Sequence, residues 1–242
     1  MKQLKLLSTL GIAFVFLFSS CGGDEEKTTD KNTTTDTTAT ITTTKSTVDT
    51  MQQNIVLVWQ KVANFEKWKP VYDGHDTARL THGLHNYIIG RDVNDSNTVL
   101  VALKADDITK AKAFAKDPGL KAAMQKGGVT GAPTILFNTM VYQDNAKNMS
   151  DLRSITNFTV KDWNAWKKAF ESTRQLRIDN GLTDRAYGYD VDDNHKVTLV
   201  VAINDTAKAN AFWKSDILKQ KRAESGVVGE VKRHVYRVVQ KY

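Results

Sequence analysis

His75 is the polar residue best placed by its spacing to do chemistry. Phe65, Trp68, Tyr72, His75 and Arg79 recur three or four residues apart, so a helix would present all of them on one inward face. A buried, neutral imidazole there could shuttle a proton or touch a ligand. The plainer alternative is a histidine hydrogen-bonded within the core or at its edge. Trp59, His85, Tyr87 and Arg91 add an indole, an imidazole, a phenol and a guanidinium that could line the same candidate pocket. Other chemistries find no residues. There is no His-x-x-x-His pair or cysteine cluster to hold zinc. Gly127-Gly128-Val129-Thr130-Gly131 lacks the Lys-Ser/Thr of a phosphate loop and is better read as a helix end and turn. The acidic turn Asp190-Val191-Asp192-Asp193-Asn194 has no EF-hand register and no closing Glu. No metal and no cofactor is called for.

The elements that must position these residues begin after an unusual N-terminus. Met1-Lys2-Gln3-Leu4-Lys5 is a basic start, followed by an almost wholly apolar run from Leu6 to Phe18 and then Ser19-Ser20-Cys21. A run of that length is too short to span a bilayer, which takes about 20 residues. Cys21 is the only cysteine, so no intramolecular disulfide can form. The apolar run, small-small-Cys and the following Gly22-Gly23 resemble the bacterial lipobox, in which the cysteine is diacylated and becomes the new N-terminus. Residues 1–20 are therefore expected to be a lipoprotein signal peptide and Cys21 the lipid anchor in the cell envelope. Asp24-Glu25-Glu26 resembles the signal that sends lipoproteins of Bacteroidetes-type bacteria to the outer face of the outer membrane; a solubilising start to a linker is the alternative. Thirteen of the 23 positions from 28 to 50 are Thr, with no apolar periodicity. Residues 21–50 thus read as a disordered tether, whose stretch from Gly22 has a flexible reach of about 30 Å.

The chain carries a formal +7. Setting aside the five lysines and six acidic residues before position 51 leaves +8 on the body. Basic and acidic residues are interspersed and no basic run reaches five, so the charge reads as a solvated mixed surface and not as a nucleic-acid interface.

The body repeats itself. Sliding the sequence by 98 positions aligns 62–131 with 160–229 without a gap, with 22 identities in 70 positions, among them Trp68/Trp166, Arg79/Arg177, Gly90/Gly188 and Phe114/Phe212. His75, Trp59, His85, Tyr87 and Arg91 face Thr173, Asn157, Thr183, Arg185 and Tyr189, so chemistry built on them would belong to the first copy alone. Each copy reads strand, helix, two strands, helix, strand. In the first these are a strand over 55–62, a helix from Asn64 to the stop at Gly83, strands over 84–91 and 98–105, a helix from Asp107 interrupted at Pro118-Gly119, and a strand over 134–142. In the second they are 153–160, 162–180, 182–189, 196–203, 206–225 and 231–239. This βαββαβ order is ferredoxin-like. The strands are apolar on both faces, as in Ile55-Val56-Leu57-Val58, so the face away from the helices needs a cover that the other copy can supply.

Val62-x-x-Phe65-x-x-Trp68-Lys69, Tyr72-Asp73-x-His75-x-x-x-Arg79, Gly83-Leu84, Asn94-Asp95-x-Asn97-x-Val99, Ala111-x-Ala113-Phe114, Leu120-x-x-x-Met124 and Gly128-Val129-x-Gly131-x-Pro133 resemble the antibiotic-biosynthesis-monooxygenase-like dimeric α+β barrels. The resemblance covers nearly all of 53–143 and, more thinly, 152–240. It implies an α+β fold in which modules 51–145 and 150–242 are packed sheet to sheet as an intrachain pseudo-dimeric α+β barrel, monomeric as a chain. It also implies a range of activities. The haem-degrading relatives need an axial His on the module's second helix, and neither second helix here has one. Cofactor-free oxygenation of a quinol-like substrate needs an aromatic and arginine set such as Trp59, Tyr87 and Arg91. The expectation carried forward is a membrane-anchored protein binding a small, partly apolar ligand or a surface partner, with monooxygenation of an aromatic substrate as the alternative.

Overall fold

A computed structural model describes residues 47–147 and 150–242. The expected signal peptide, Cys21 and the tether up to position 46 lie outside the described residues. The tether's expected end differs from what is observed. Val48–Asp49 form a short strand, β1, paired with Asp144 and Gln143, and Thr47 donates its hydroxyl to Asp144 at 3.0 Å.

The first copy runs β2 (Gln53–Val62), α1 (Phe65–Gly74), α2 (Asp76–Thr81), β3 (Leu84–Asp92), β4 (Thr98–Ala105), α3 (Ile108–Phe114), α4 (Pro118–Lys126) and β5 (Val129–Asp144). The second runs β6 (Leu152–Val160), α5 (Trp163–Ser172), α6 (Arg174–Asp179), β7 (Leu182–Asp190), β8 (Asp193–Ile203), α7 (Thr206–Lys214), α8 (Asp216–Glu224) and β9 (Val227–Lys241). Asn64 and Asp162 cap the first helix of each copy by accepting from Lys67 N and Ala165 N. Asp107 and Asp205 do the same for the second pair.

The helix expected from Asn64 to Gly83 is two helices, broken at His75, and its counterpart breaks at Thr173. Ending a helix strands carbonyls, and here an arginine one turn on satisfies one of them. Arg79 donates to Tyr72 O at 2.8 Å, and Arg177 to Phe170 O at 2.7 Å. The last strands are longer than their apolar cores suggest. Gly131 and Gly229, at φ 76° and 67°, let β5 and β9 continue through an irregularity that reads in sequence as a turn.

The strand order is β1-β5-β2-β4-β3-β9-β6-β8-β7, and a further β5–β7 pairing closes the sheet on itself. The last strand of each copy therefore pairs with the strand after the first helical segment of the other. Alternation along β2 sends Val56 and Val58 under the helices of copy one and Ile55 and Leu57 to a second core. That second core draws on both copies: Ile55, Leu57, Leu100, Ala102 and Met140 meet Ile155, Tyr236 and Val238. Gly90 and Gly188 sit on the two seams, where a Cβ would strike the Tyr236 ring and the Thr139 backbone respectively. Close approach explains why both copies keep glycine there.

Candidate functional site

Each copy holds a cavity between its helices and the helix-facing side of its sheet. In copy one it is about 70 Å³, walled by Trp68, Tyr72, Phe114 and Met124 among others, with His75, Arg79 and Gln60 on its lining. In copy two it is about 170 Å³, walled by Phe158, Trp166, Phe170 and Trp213, with Arg177, Arg222 and Arg233 on its lining. Trp68/Trp166, Leu84/Leu182, Phe114/Phe212 and Leu120/Leu218 occupy equivalent places, so the two chambers are one design built twice.

Copy one offers polar atoms inside an apolar chamber. Arg79 and Gln60 are 4% and 6% exposed. Arg79 Nε, a donor, and Gln60 Oε1, an acceptor, are buried with no hydrogen-bond partner. Buried polar groups are nearly always paired, and an unpaired one costs about 1–3 kcal/mol. A hydroxyl on a bound apolar body carries both the acceptor that Arg79 Nε lacks and the donor that Gln60 Oε1 lacks. His75 stands at the break between α1 and α2, its ring stacked 6.1 Å from that of Phe114. Tyr72 stacks on Trp68 at 4.9 Å and hydrogen-bonds Asn86, and burial pushes its phenol well above the usual value.

The five expected pocket residues are not brought together. Only His75 lines the copy-one cavity. Trp59 points through the sheet to the shared core, edge-on to Tyr236 at 6.0 Å, with its indole nitrogen buried and unpaired. Tyr87 joins the same core, displaced there by a bulge between Asn86 and Ile88. Arg91 caps the Phe65 ring at 4.1 Å and donates to Ser96 O. His85 is exposed and hydrogen-bonds Asp106 at 2.9 Å. Period-two alternation separates Tyr87 from the cavity, and the bulge adds one residue that the pattern did not count.

What the sequence left unseen is in copy two. Arg177 makes a fork to Asp184, with Nε to Oδ1 at 2.7 Å and Nη2 to Oδ2 at 2.6 Å, both residues buried. Arg233 and Arg222 face the same chamber. A signal did exist: Arg233 is in phase with Val235 along β9, so it shares a strand face with a residue packed on the core. No group of three or more His, Cys, Asp or Glu side chains among the described residues could hold a metal ion.

No protein-family model matches this sequence, and no curated protein matches it. Solved structures do. The fold is that of the dimeric α+β barrels, of ferredoxin-like type. An anthrone oxidase-like protein superposes with a TM-score of 0.55 at 14% identity, covering 81% of this chain and 94% of its own. A Fusobacterium nucleatum protein bearing a provisional monooxygenase name gives 0.51 at 14% identity, covering 78% and 93%. One bearing a provisional chlorite dismutase name gives 0.52 at 12% identity, covering 79% and 96%.

Proposed function

We propose that the chain is a lipoprotein, anchored in the cell envelope through Cys21 and held off the outer membrane by its Thr-rich tether, whose tandem modules form one pseudo-dimeric barrel that binds small, partly apolar molecules. The observation that carries the binding reading is that Arg79 and Gln60, which line a largely apolar chamber, each keep a buried polar atom, Nε and Oε1, without a partner. The exchange of edge strands between copies supports the pseudo-dimer: within one chain it supplies the cover that a second subunit would otherwise provide. Expressed alone, residues 51–145 should self-associate or lose solubility, because the apolar faces of β2 and β4 would be uncovered; a monomeric fragment with the parent's thermal transition sinks the pseudo-dimer.

Binding is tested with 2-naphthol, which carries one hydroxyl on a flat apolar body, by quenching of tryptophan fluorescence. Saturable quenching that weakens in Gln60→Leu is expected; no saturation at any concentration rejects the reading. Replacing Cys21 with Ser should abolish fatty-acid labelling, and retained label rejects the anchor. A second reading, cofactor-independent oxygenation of an aromatic substrate, is favoured by the gathering of Trp68, Tyr72, His75 and Arg79 around one chamber and by the names of the anthrone oxidase-like and monooxygenase-named structures. His75 would take the substrate's phenolic proton and Arg79 would hold the resulting oxyanion. Conversion of 1-naphthol and O2 to 1,4-naphthoquinone and water, with labelled oxygen entering the quinone, above the uncatalysed rate and lost in His75→Ala, supports it; a rate equal to background rejects it.

A further inference from the structure

The two cavities share a plan and differ in charge. Ile135 stands opposite Val58 in copy one; at the equivalent register Arg233 stands opposite Thr156. Met124 on α4 becomes Arg222 on α8. Copy one shows that the fold at these two positions is served by apolar side chains, so the packing of copy two does not require arginine.

Among the described residues neither guanidinium is neutralised. Arg233 lies 4.4 Å over the Trp213 ring, and its Nε is buried without a partner. Burial first, and then the charge of Arg222, push its pKa down to about 10. Among the described residues no carboxylate pairs with Arg222 or Arg233. The acid on the cavity lining, Glu224, is bound to Lys221 at 2.8 Å and to Gln220 at 2.7 Å. The lining cation that is fully buried, Arg177, is already forked to Asp184, whereas Arg222 and Arg233 are half-buried. Two like charges thus line one aromatic-walled chamber whose one acid, Glu224, is taken up by Lys221, an arrangement that an anion relieves and that partial burial otherwise penalises.

Resting on the reading that these cavities bind small molecules, we infer that the copy-two cavity is a site for a small aromatic carboxylate. Its carboxylate is held by the forks of Arg222 and Arg233, and its ring by Phe158, Trp166 and Phe170. Guanidinium geometry matches a carboxylate in two parallel hydrogen bonds, which sets charge and orientation together. Trp213 fixes the plane of Arg233 before any ligand arrives. Copy one, with Met124 and Ile135 in those places, has no such preference and takes neutral ligands.

The test uses the full chain and two probes of nearly equal shape, 2-naphthoate and 2-naphthamide, followed by calorimetry. Naphthoate is expected to bind at least about tenfold more tightly than the amide, a difference of about one charge-assisted contact. The double variant Arg222→Met with Arg233→Ile, which writes copy one's residues into copy two, should bring naphthoate down to the affinity of the amide. Arg222→Gln alone, with the wild-type thermal transition, should lower naphthoate affinity severalfold and guards against a folding defect in the double variant. Equal affinity for the two probes, or a naphthoate preference that survives the double variant, overturns the carboxylate site while the 2-naphthol result still supports the cavities as binding sites. Failure of naphthoate, naphthamide and 2-naphthol alike overturns both.

Discussion

Arg79 in the first copy and Arg177 in the second stack on equivalent rings, 3.8 Å from Tyr72 and 3.5 Å from Phe170, and each reaches back to that residue's carbonyl. Their charges are then met differently. Arg177 has Asp184 in a buried fork, whereas Asn86 occupies that strand position in copy one. Arg79 turns to Asp76 on its own helix, at 3.1 Å, a carboxylate with a side chain 43% exposed. Where Asp76 stands in copy one, copy two has Arg174. One invariant arginine is thus neutralised from the sheet in one copy and from the helix in the other. The copy neutralised from the helix keeps a buried Nε without a partner, on a residue that lines its cavity. A retained residue type does not fix a retained electrostatic environment; the neighbour across the chamber does.

The largest effect should come from breaking the buried fork. Asp184→Ala leaves Arg177 charged and buried without a counter-ion and should cost about 3–5 kcal/mol in urea unfolding. Asp76→Ala removes a partner that is itself half-solvated, leaving Arg79 its bond to Tyr72 O, and should cost less, about 1–3 kcal/mol. Similar costs for the two would dissolve the contrast between the copies.

The seams give the next comparison. Gly188→Ala drives a methyl into the backbone of Thr139 and should cost about 3 kcal/mol or slightly more. Gly90→Ala meets the Tyr236 ring instead, a side chain that can yield in part, and should cost about 1–2 kcal/mol. If the order reverses, the β3–β9 seam and not β5–β7 is the rigid one.

Alkaline pH probes the cores more gently. Tyr72, Tyr187 and Tyr236 are all raised above their ordinary value of 10.0, by burial first, and for Tyr187 next by its hydrogen bond to Glu171. The unfolded chain therefore releases these protons at lower pH than the folded one. Their contribution to stability is complete below pH 10 and is lost as pH rises from there toward the folded values. The thermal midpoint should fall through this window, and less steeply in Tyr236→Phe. An unchanged slope in that variant would mean the shared core is wetter than its burial shows.

The smallest effect on the fold, and the sharpest on function, is expected at His75. His75→Ala should change stability by under about 1 kcal/mol, against the roughly 3–5 kcal/mol of Trp68→Ala. It should nevertheless weaken 2-naphthol binding, and more than Thr173→Ala does at the matching place in copy two. Equal effects of the two would move the binding role away from His75.

The sequence by itself determined the order of elements, because that order is written in local spacing. Apolar, β-branched runs mark the strands, Asn64, Asp107 and Asp162 mark helix starts, and the constant offset marks the repeat. It also placed His75 on a stripe with Trp68 and Arg79, since three- and four-residue spacing survives the break between α1 and α2. Which residues would share a chamber was decided only by the tertiary structure. Trp59 and Tyr87 are set apart from His75 by strand parity and a bulge, and no count along the chain shows which face of the sheet a bulge will favour. Nor does spacing show that Arg233 would find Trp213 and Arg222 but no carboxylate. A side chain's charge is local to the sequence; its compensation depends on partners that only folding brings within reach.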